Sequence, residues 1–283
     1  MDLIVEQMEA SEMPLPDGIE NNVEKGKYFT RTTVRITSEE GARLLEREPG
    51  CYVTIETAET YEIGEPAFEE ISAALANTFR ELLRERRRVL ILGIGNPGIT
   101  PDSLGAKTVE RLIISRPMDS RPAEFAEISG LNCPVYGVSG IESSELAAGL
   151  VQVIAPEAVI VVDALATSHP ARLCKTIQIA DTGLVPGGGV QNARQELSAQ
   201  TLGVPVLSVG IPTVMKCAAF LRAINAEMPE NNGVNLHQIE EELLITPRQM
   251  ETAAEMGARI IGFALNKALH GDLSTEEIFR YLY

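Results

Sequence analysis

Tryptophan is absent from this chain, and aromatic residues make up only 5% of it. A core must therefore be aliphatic, and short runs of Val, Ile and Leu suggest a parallel sheet covered on both faces. Histidine is nearly absent too: the three residues His169, His237 and His270 are scattered, and no H-E-x-x-H occurs. That pattern does not build a metal site, and no cofactor is expected. The four cysteines, Cys51, Cys133, Cys174 and Cys217, include no C-x-x-C pair and read as reduced thiols of an intracellular protein. Basic charge is scarce, with a formal net charge of −16. Phosphate binding needs a basic face, so nucleic acid is an unsuitable partner. The one basic cluster, Arg84-Glu85-Arg86-Arg87-Arg88, ends a predicted helix, where cations favour the dipole. No apolar run reaches transmembrane length and the N-terminus has no apolar signal region, so no membrane partner is expected.

What is present is alternation of strand and helix patterns, which implies an α/β three-layer domain with a mostly parallel sheet flanked by helices. With 283 residues and 45% apolar content the chain can fill one large core. A single domain over 1–283 is expected, divided into an arm at 1–27, a small strand/helix addition at 28–66 and an α/β core at 67–283. Residues 7–27, with Pro14, Pro16 and Asp17-Gly18, read as exposed. Residues 28–36 and 51–57 read as strands, with a capping box at Thr37-Ser38-Glu39-Glu40 between them. Ile71, Ala74, Leu75, Phe79, Leu82 and Leu83 form one apolar stripe, predicting a long helix after Pro66. A strand follows to Gly95, then a helix over 102–115, an irregular Pro- and Gly-containing stretch at 116–140, and a helix over 142–154. Strands are predicted at 158–162, 176–180 and 204–210, with helices at 192–202, 247–269 and from Ser274.

Three acids stand at or just beyond strand ends. Asp163 follows Val159-Ile160-Val161-Val162, a run expected deep in the sheet. A carboxylate there costs several kcal/mol unless it is paired or functional, so function is the favoured reading. Asp102, in Thr100-Pro101-Asp102, suits a helix cap and a catalyst equally. Asp181, after Ile177-Gln178-Ile179-Ala180, reads first as an Asx-turn into Gly183 and second as a site residue. In an open parallel sheet ligands bind at the carboxyl ends of the strands, so Asp102 and Asp163 could share one pocket. A pair of carboxylates is the minimum equipment for acid/base hydrolysis without a metal. Pro186-Gly187-Gly188-Gly189 could present N–H groups to a carbonyl or an extended peptide, or simply connect. Gly93-x-Gly95-x-x-Gly98 has the outline of a dinucleotide fingerprint, but Pro97 and the missing later acid favour a tight turn with close packing.

Six ordered segments carry a family likeness. They are Thr100-Pro101-Asp102-Ser103-Leu104-Gly105, Ser139-Gly140-Ile141-Glu142-Ser143-Ser144-Glu145, Val162-Asp163-Ala164-Leu165-Ala166, Thr176 to Gly183, Pro186 to Val190, and Thr201 to Val206 with Gly210 to Val214. Together they resemble the germination protease (spore protease) family of endospore-forming bacteria. The resemblance implies an endopeptidase that degrades small acid-soluble spore proteins in the spore core, cytoplasmic, homotetrameric and of atypical aspartic type. It implies a fold similar to hydrogenase-maturation proteases, of phosphorylase/hydrolase-like class. It places the two catalytic aspartates on Asp102 and Asp163, with Asp181, Gly187, Gly188 and Gly189 supporting the site or holding substrate. Alternatives on the same fold are a metal-dependent maturation-type protease and a non-catalytic peptide binder. The chain departs from the family at Asn96-Pro97-Gly98-Ile99 and Ser103, and by a shorter region between Val214 and Thr246. Residues 188–195 carry fewer basic groups than the family's stretch. Met1 to Glu6 resembles the segment that follows the family's cleaved propeptide, so the usual zymogen segment is expected to be nearly absent.

Overall fold

A computed structural model describes residues 3–11, 16–58, 61–187, 195–221, 243–271 and 273–282. Along the chain run α1 (Ile4–Ala10), β1 (Ile19–Lys25), β2 (Phe29–Ile36), α2 (Glu39–Leu45), β3 (Gly50–Thr57), α3 (Glu65–Leu83) and β4 (Arg88–Ile94). A 3-10 turn (Thr100–Asp102) leads to α4 (Leu104–Val109), β5 (Glu127–Cys133), α5 (Tyr136–Ser139), α6 (Ser143–Ile154) and β6 (Ala158–Thr167). Then come β7 (Thr176–Ala180), α7 (Ala199–Leu202), β8 (Val206–Lys216), β9 (Leu244–Ile245), α8 (Met250–Leu269) and α9 (Thr275–Leu282).

The strands form one mixed sheet in the order β1-β2-β3-β7-β8-β6-β4-β5, with β9 beside β8. Its core, β8-β6-β4-β5, is parallel. The wing β7-β3-β2-β1 is antiparallel throughout and joins the core through an antiparallel β7–β8 pair. Both faces are covered, as expected for a three-layer α/β fold. On one face Val89, Ile91, Ile160, Val162, Leu207 and Val209 pack under α3 and α8. On the other, Leu90, Leu92, Val159 and Val161 pack under α6, and Val34, Ile36 and Tyr52 pack under α1 and α2.

α3 follows its sequence stripe: Phe68, Ile71, Leu75, Phe79 and Leu83 are buried. Pro66 sits in its first turn, where a missing N–H costs no helical bond. α2 starts at Ser38, whose hydroxyl accepts from the Gly41 N–H at 3.0 Å. The third helical residue is Gly41 and has no side chain to return the bond, so the expected capping box is a single cap.

Several stretches depart from the sequence reading. Residues 7–27, where described, are exposed or half-buried as expected, but they are not irregular: α1 runs to Ala10 behind the buried Leu3 and Ile4, and β1 extends the sheet. The stretch 116–140 contains β5, whose Gly130 and polar neighbours hide the strand pattern. The helix predicted over 102–115 is only α4, preceded by the 3-10 turn. β6 and β8 both run past their predicted ends, to Thr167 and Lys216. Of the helix predicted over 192–202, residues 192–194 lie outside the described residues, and α7 covers the end.

Candidate active site

The carboxyl end of β4 is built for close backbone approach. A Cβ on Gly93 would lie 2.3 Å from the Gly105 carbonyl oxygen. A Cβ on Gly105 would lie 2.4 Å from the Ile94 oxygen and 2.7 Å from the Val162 oxygen. The start of α4 therefore rests directly on the ends of β4 and β6, which only glycine permits at both positions. This is the close-packing reading of Gly93-x-Gly95-x-x-Gly98.

Gly95 has φ +125°, and its Cα faces Asp102: an added Cβ would meet the Asp102 carbonyl oxygen at 2.0 Å. The loop between them closes on itself. The Asn96 N–H donates to Asp102 Oδ2 at 2.7 Å, the Asp102 N–H to the Ile99 carbonyl at 2.8 Å, and the Gly98 N–H to Asn96 Oδ1 at 2.9 Å. Asp102 is half-buried. Its carboxylate turns back onto the loop after β4, so α4 does not depend on it as a cap. The turn that carries it packs against β6 and β8.

Asp163 lies inside β6 rather than at its end, but it is the first residue past the β4 pairing, which stops at Gly93–Val162. It is only 5% exposed. Along the strand its side chain alternates with Val162 and shares the face of Val159 and Val161, toward α6. Its Oδ1 accepts from the Ala164 N–H at 2.8 Å. Opposite it on β8 is Gly210, where a Cβ would lie 2.3 Å from the Asp163 carbonyl oxygen. Asp102 and Asp163 thus sit at the same end of two neighbouring parallel strands, which run about 4.8 Å apart.

Asp181 does not join them. β7 runs antiparallel to β8, with Gln178 opposite Gly210 and Ala180 opposite Ser208, so its carboxyl end points to the other end of the sheet. Three residues beyond Gln178 is about 10 Å down the strand. There Asp181 Oδ1 accepts from the Cys51 N–H at 2.7 Å, and Gly50 leaves room for it. There it ties β7 to β3, away from the end of the sheet that carries Asp102 and Asp163. The glycine-rich loop leaves from a Leu184–Leu197 bridge, with Gly187 at φ +67°. Gly188 and Gly189 lie outside the described residues. Where the chain is described again, Gln195 Oε1 accepts from the Ser144 hydroxyl at 2.9 Å, at the start of α6. α6 begins on the same end of the sheet as Asp163.

Two residues near the site escaped the sequence reading. Gln178 is nearly buried, aligned across β8 with Gly210 and Asp163, and accepts the Ile4 N–H at 2.7 Å. A polar residue between Ile177 and Ile179 was its only signal. Glu6, 2% exposed, bonds Thr167 at the end of the Asp163 strand and Ser168 just after it. A single acid after Leu3-Ile4-Val5 gave little warning of that. Among the described residues there is no group of three or more His, Cys, Asp or Glu placed to hold a metal ion. None of the described helices is long and apolar enough to cross a membrane.

Comparison with known proteins agrees with the motifs. Residues 2–225 match the family described as germination protease. A germination protease of Clostridium tetani is 32% identical over 312 residues, covering 99% of this chain and 96% of that protein. One from Bacillus pumilus is 29% identical, covering 98% and 93% respectively. One from a Geobacillus species is 40% identical over 193 residues, covering 65% and 52%. Among solved structures, the [NiFe] hydrogenase maturation protease HycI from Thermococcus kodakarensis aligns with TM-score 0.40 and 19% identity, over 67% of this chain and 99% of that one. The chain belongs to the germination protease family, and it is an endopeptidase with a role in spore germination.

Proposed function

We propose that this endopeptidase cleaves small acid-soluble spore proteins with a water molecule activated between Asp102 and Asp163. The observation that carries the reading is the arrival of both carboxylates at the same end of β4 and β6. In open α/β sheets that end receives the ligand. The motif resemblance selects the same two residues by a separate route.

The chemistry needs one ionised and one protonated carboxylate, a state that two neighbouring acids favour because like charges resist ionising together. The ionised group takes a proton from water as the water oxygen bonds to the scissile carbonyl carbon. The protonated group gives its proton to the carbonyl oxygen. When the tetrahedral gem-diol collapses, one of its hydroxyls returns a proton to the group that had given one up, the C–N bond breaks, and the leaving amine takes the proton held by the group that had accepted it from water, which restores the pair. The glycine-rich segment Pro186 to Val190 is proposed, on the family resemblance, to hold the peptide beside the pair. A homotetramer working in the spore core completes the proposal, on the family resemblance alone.

The test is incubation of the purified protein with a small acid-soluble spore protein, read by mass spectrometry for new termini, with and without chelator. Internal cleavage unaffected by chelator is expected. Cleavage abolished by chelator and restored by metal would make these acids metal ligands, and tight binding without new termini would make the chain a peptide binder.

A further inference from the structure

We propose that α1 clamps the strand that carries Asp163, with Glu6 as a positioning residue. The proposal rests on the Asp102–Asp163 reading for its catalytic consequence, but not for its structural one.

Glu6 is almost fully buried, and a buried carboxylate is costly unless donors surround it. Here they do. Oε1 accepts from the Thr167 hydroxyl, and Oε2 accepts from the Ser168 hydroxyl at 2.6 Å and the Ser168 N–H at 3.1 Å. Docking α1 does not require this arrangement, because Leu3, Ile4 and Val5 already bury its apolar face. The donors all come from the residues that end β6 and follow it, four and five positions after Asp163. That is the part of β6 that has left β4 behind. β8 continues alongside it, but through a register shift between Leu165 and Ala166. A shifted ladder fixes direction less firmly than a regular one, and Glu6 pins the far side of the shift.

Two more attachments make α1 a clamp rather than a single bond. The Ile4 N–H holds Gln178, which lies in one row with Gly210 and Asp163 across β7, β8 and β6. Gln178 alternates with Ile177 and Ile179, so its side chain is on the Asp163 face. At the other end of α1, Arg172 donates to both carboxylate oxygens of Glu9 and also to Glu56 of β3. The helix therefore grips the Asp163 row at its start, the end of β6 at its middle and the following turn at its end. A carboxylate displaced by about 1 Å can cost on the order of a hundredfold in rate, which is the error such a clamp prevents.

The test uses the full chain with Glu6→Gln and, because a buried change can impair folding, Ser168→Ala as a milder second variant. Hydrogen exchange by mass spectrometry is the structural readout and kcat against KM on a spore protein the catalytic one. The clamp predicts faster exchange confined to 163–168, with β4 and β5 unchanged. It predicts a kcat loss of about tenfold or more for Glu6→Gln with KM held within about twofold, and a smaller loss for Ser168→Ala. Exchange that is unchanged, or that rises uniformly through the sheet, overturns the clamp, and wild-type kcat alongside faster local exchange overturns its positioning role. If the wild-type protein cleaves no spore protein, the functional reading fails, while the exchange pattern still decides whether Glu6 holds β6.

Discussion

Gly95→Ala should damage stability and activity together, because one contact serves both. The added Cβ would lie 2.0 Å from the Asp102 carbonyl oxygen, where ordinary contact begins at 3.4 Å. The obstacle is backbone, so the loop must back away by about 1.4 Å, or Gly95 must leave φ +125°. A non-glycine residue at that φ costs on the order of 1–3 kcal/mol, and relieving the overlap costs about as much again. A loss of about 3 kcal/mol lowers the melting temperature of a protein this size by roughly 6–12 °C. Because the Asp102 carbonyl is the atom displaced, its carboxylate moves too, and a shift near 1 Å costs about a hundredfold in kcat. Thermal melts and steady-state cleavage of a spore protein measure both. A Gly95→Ala protein with native melting temperature and native kcat would refute the argument that Gly95 seats Asp102.

Asp181→Ala should lower stability by about 1 kcal/mol, the scale of one hydrogen bond to a charged acceptor at an exposed site. It should leave kcat/KM of the folded protein unchanged, and a large kcat loss would return Asp181 to the site. Burial holds the His270 imidazole down at about 4, against 6.5 for the unfolded residue. The unfolded chain therefore binds a proton first as pH falls, so stability drops between these two values and levels off below the lower one. Between about pH 8 and pH 5 this amounts to about 2 kcal/mol, and urea melts of wild type and His270→Gln should differ in pH slope accordingly. Chelator should leave the cleavage rate unchanged; a rate restored only by added metal would contradict a pair of acids working alone.

The parts legible in the sequence were those where local pattern and tertiary environment agree. The stripe from Ile71 to Leu83 is α3 because its burial has helical period, and Val159 to Val162 lies in the sheet because both faces are covered. Asp163 stood out because a carboxylate continues that run, and it lies buried in the sheet as expected. What the pattern lacks is direction. β7 has the same apolar run as a core strand, but nothing in Ile177-Gln178-Ile179 says that it runs antiparallel, and that reversal carries Asp181 away from the other acids. β5 was hidden because Ser129, Gly130 and Asn132 break the period of an edge strand. α1 was hidden because its burial depends on a partner surface, Val34, Ile36 and Tyr52, that lies far along the chain. Glu6 and Gln178 share that difficulty: each is a lone polar residue whose meaning comes only from what the fold sets beside it.

The acid pair itself is tested most directly by a double-mutant cycle. Single-turnover cleavage of a spore protein would be measured for Asp102→Asn, Asp163→Asn and the double variant, each first shown to be folded. Two carboxylates acting as one unit predict that each single substitution removes on the order of a thousandfold or more, and that the double variant is scarcely slower than either single one. Folded single variants that cleave at nearly the wild-type rate, or losses that multiply as for independent groups, would contradict it.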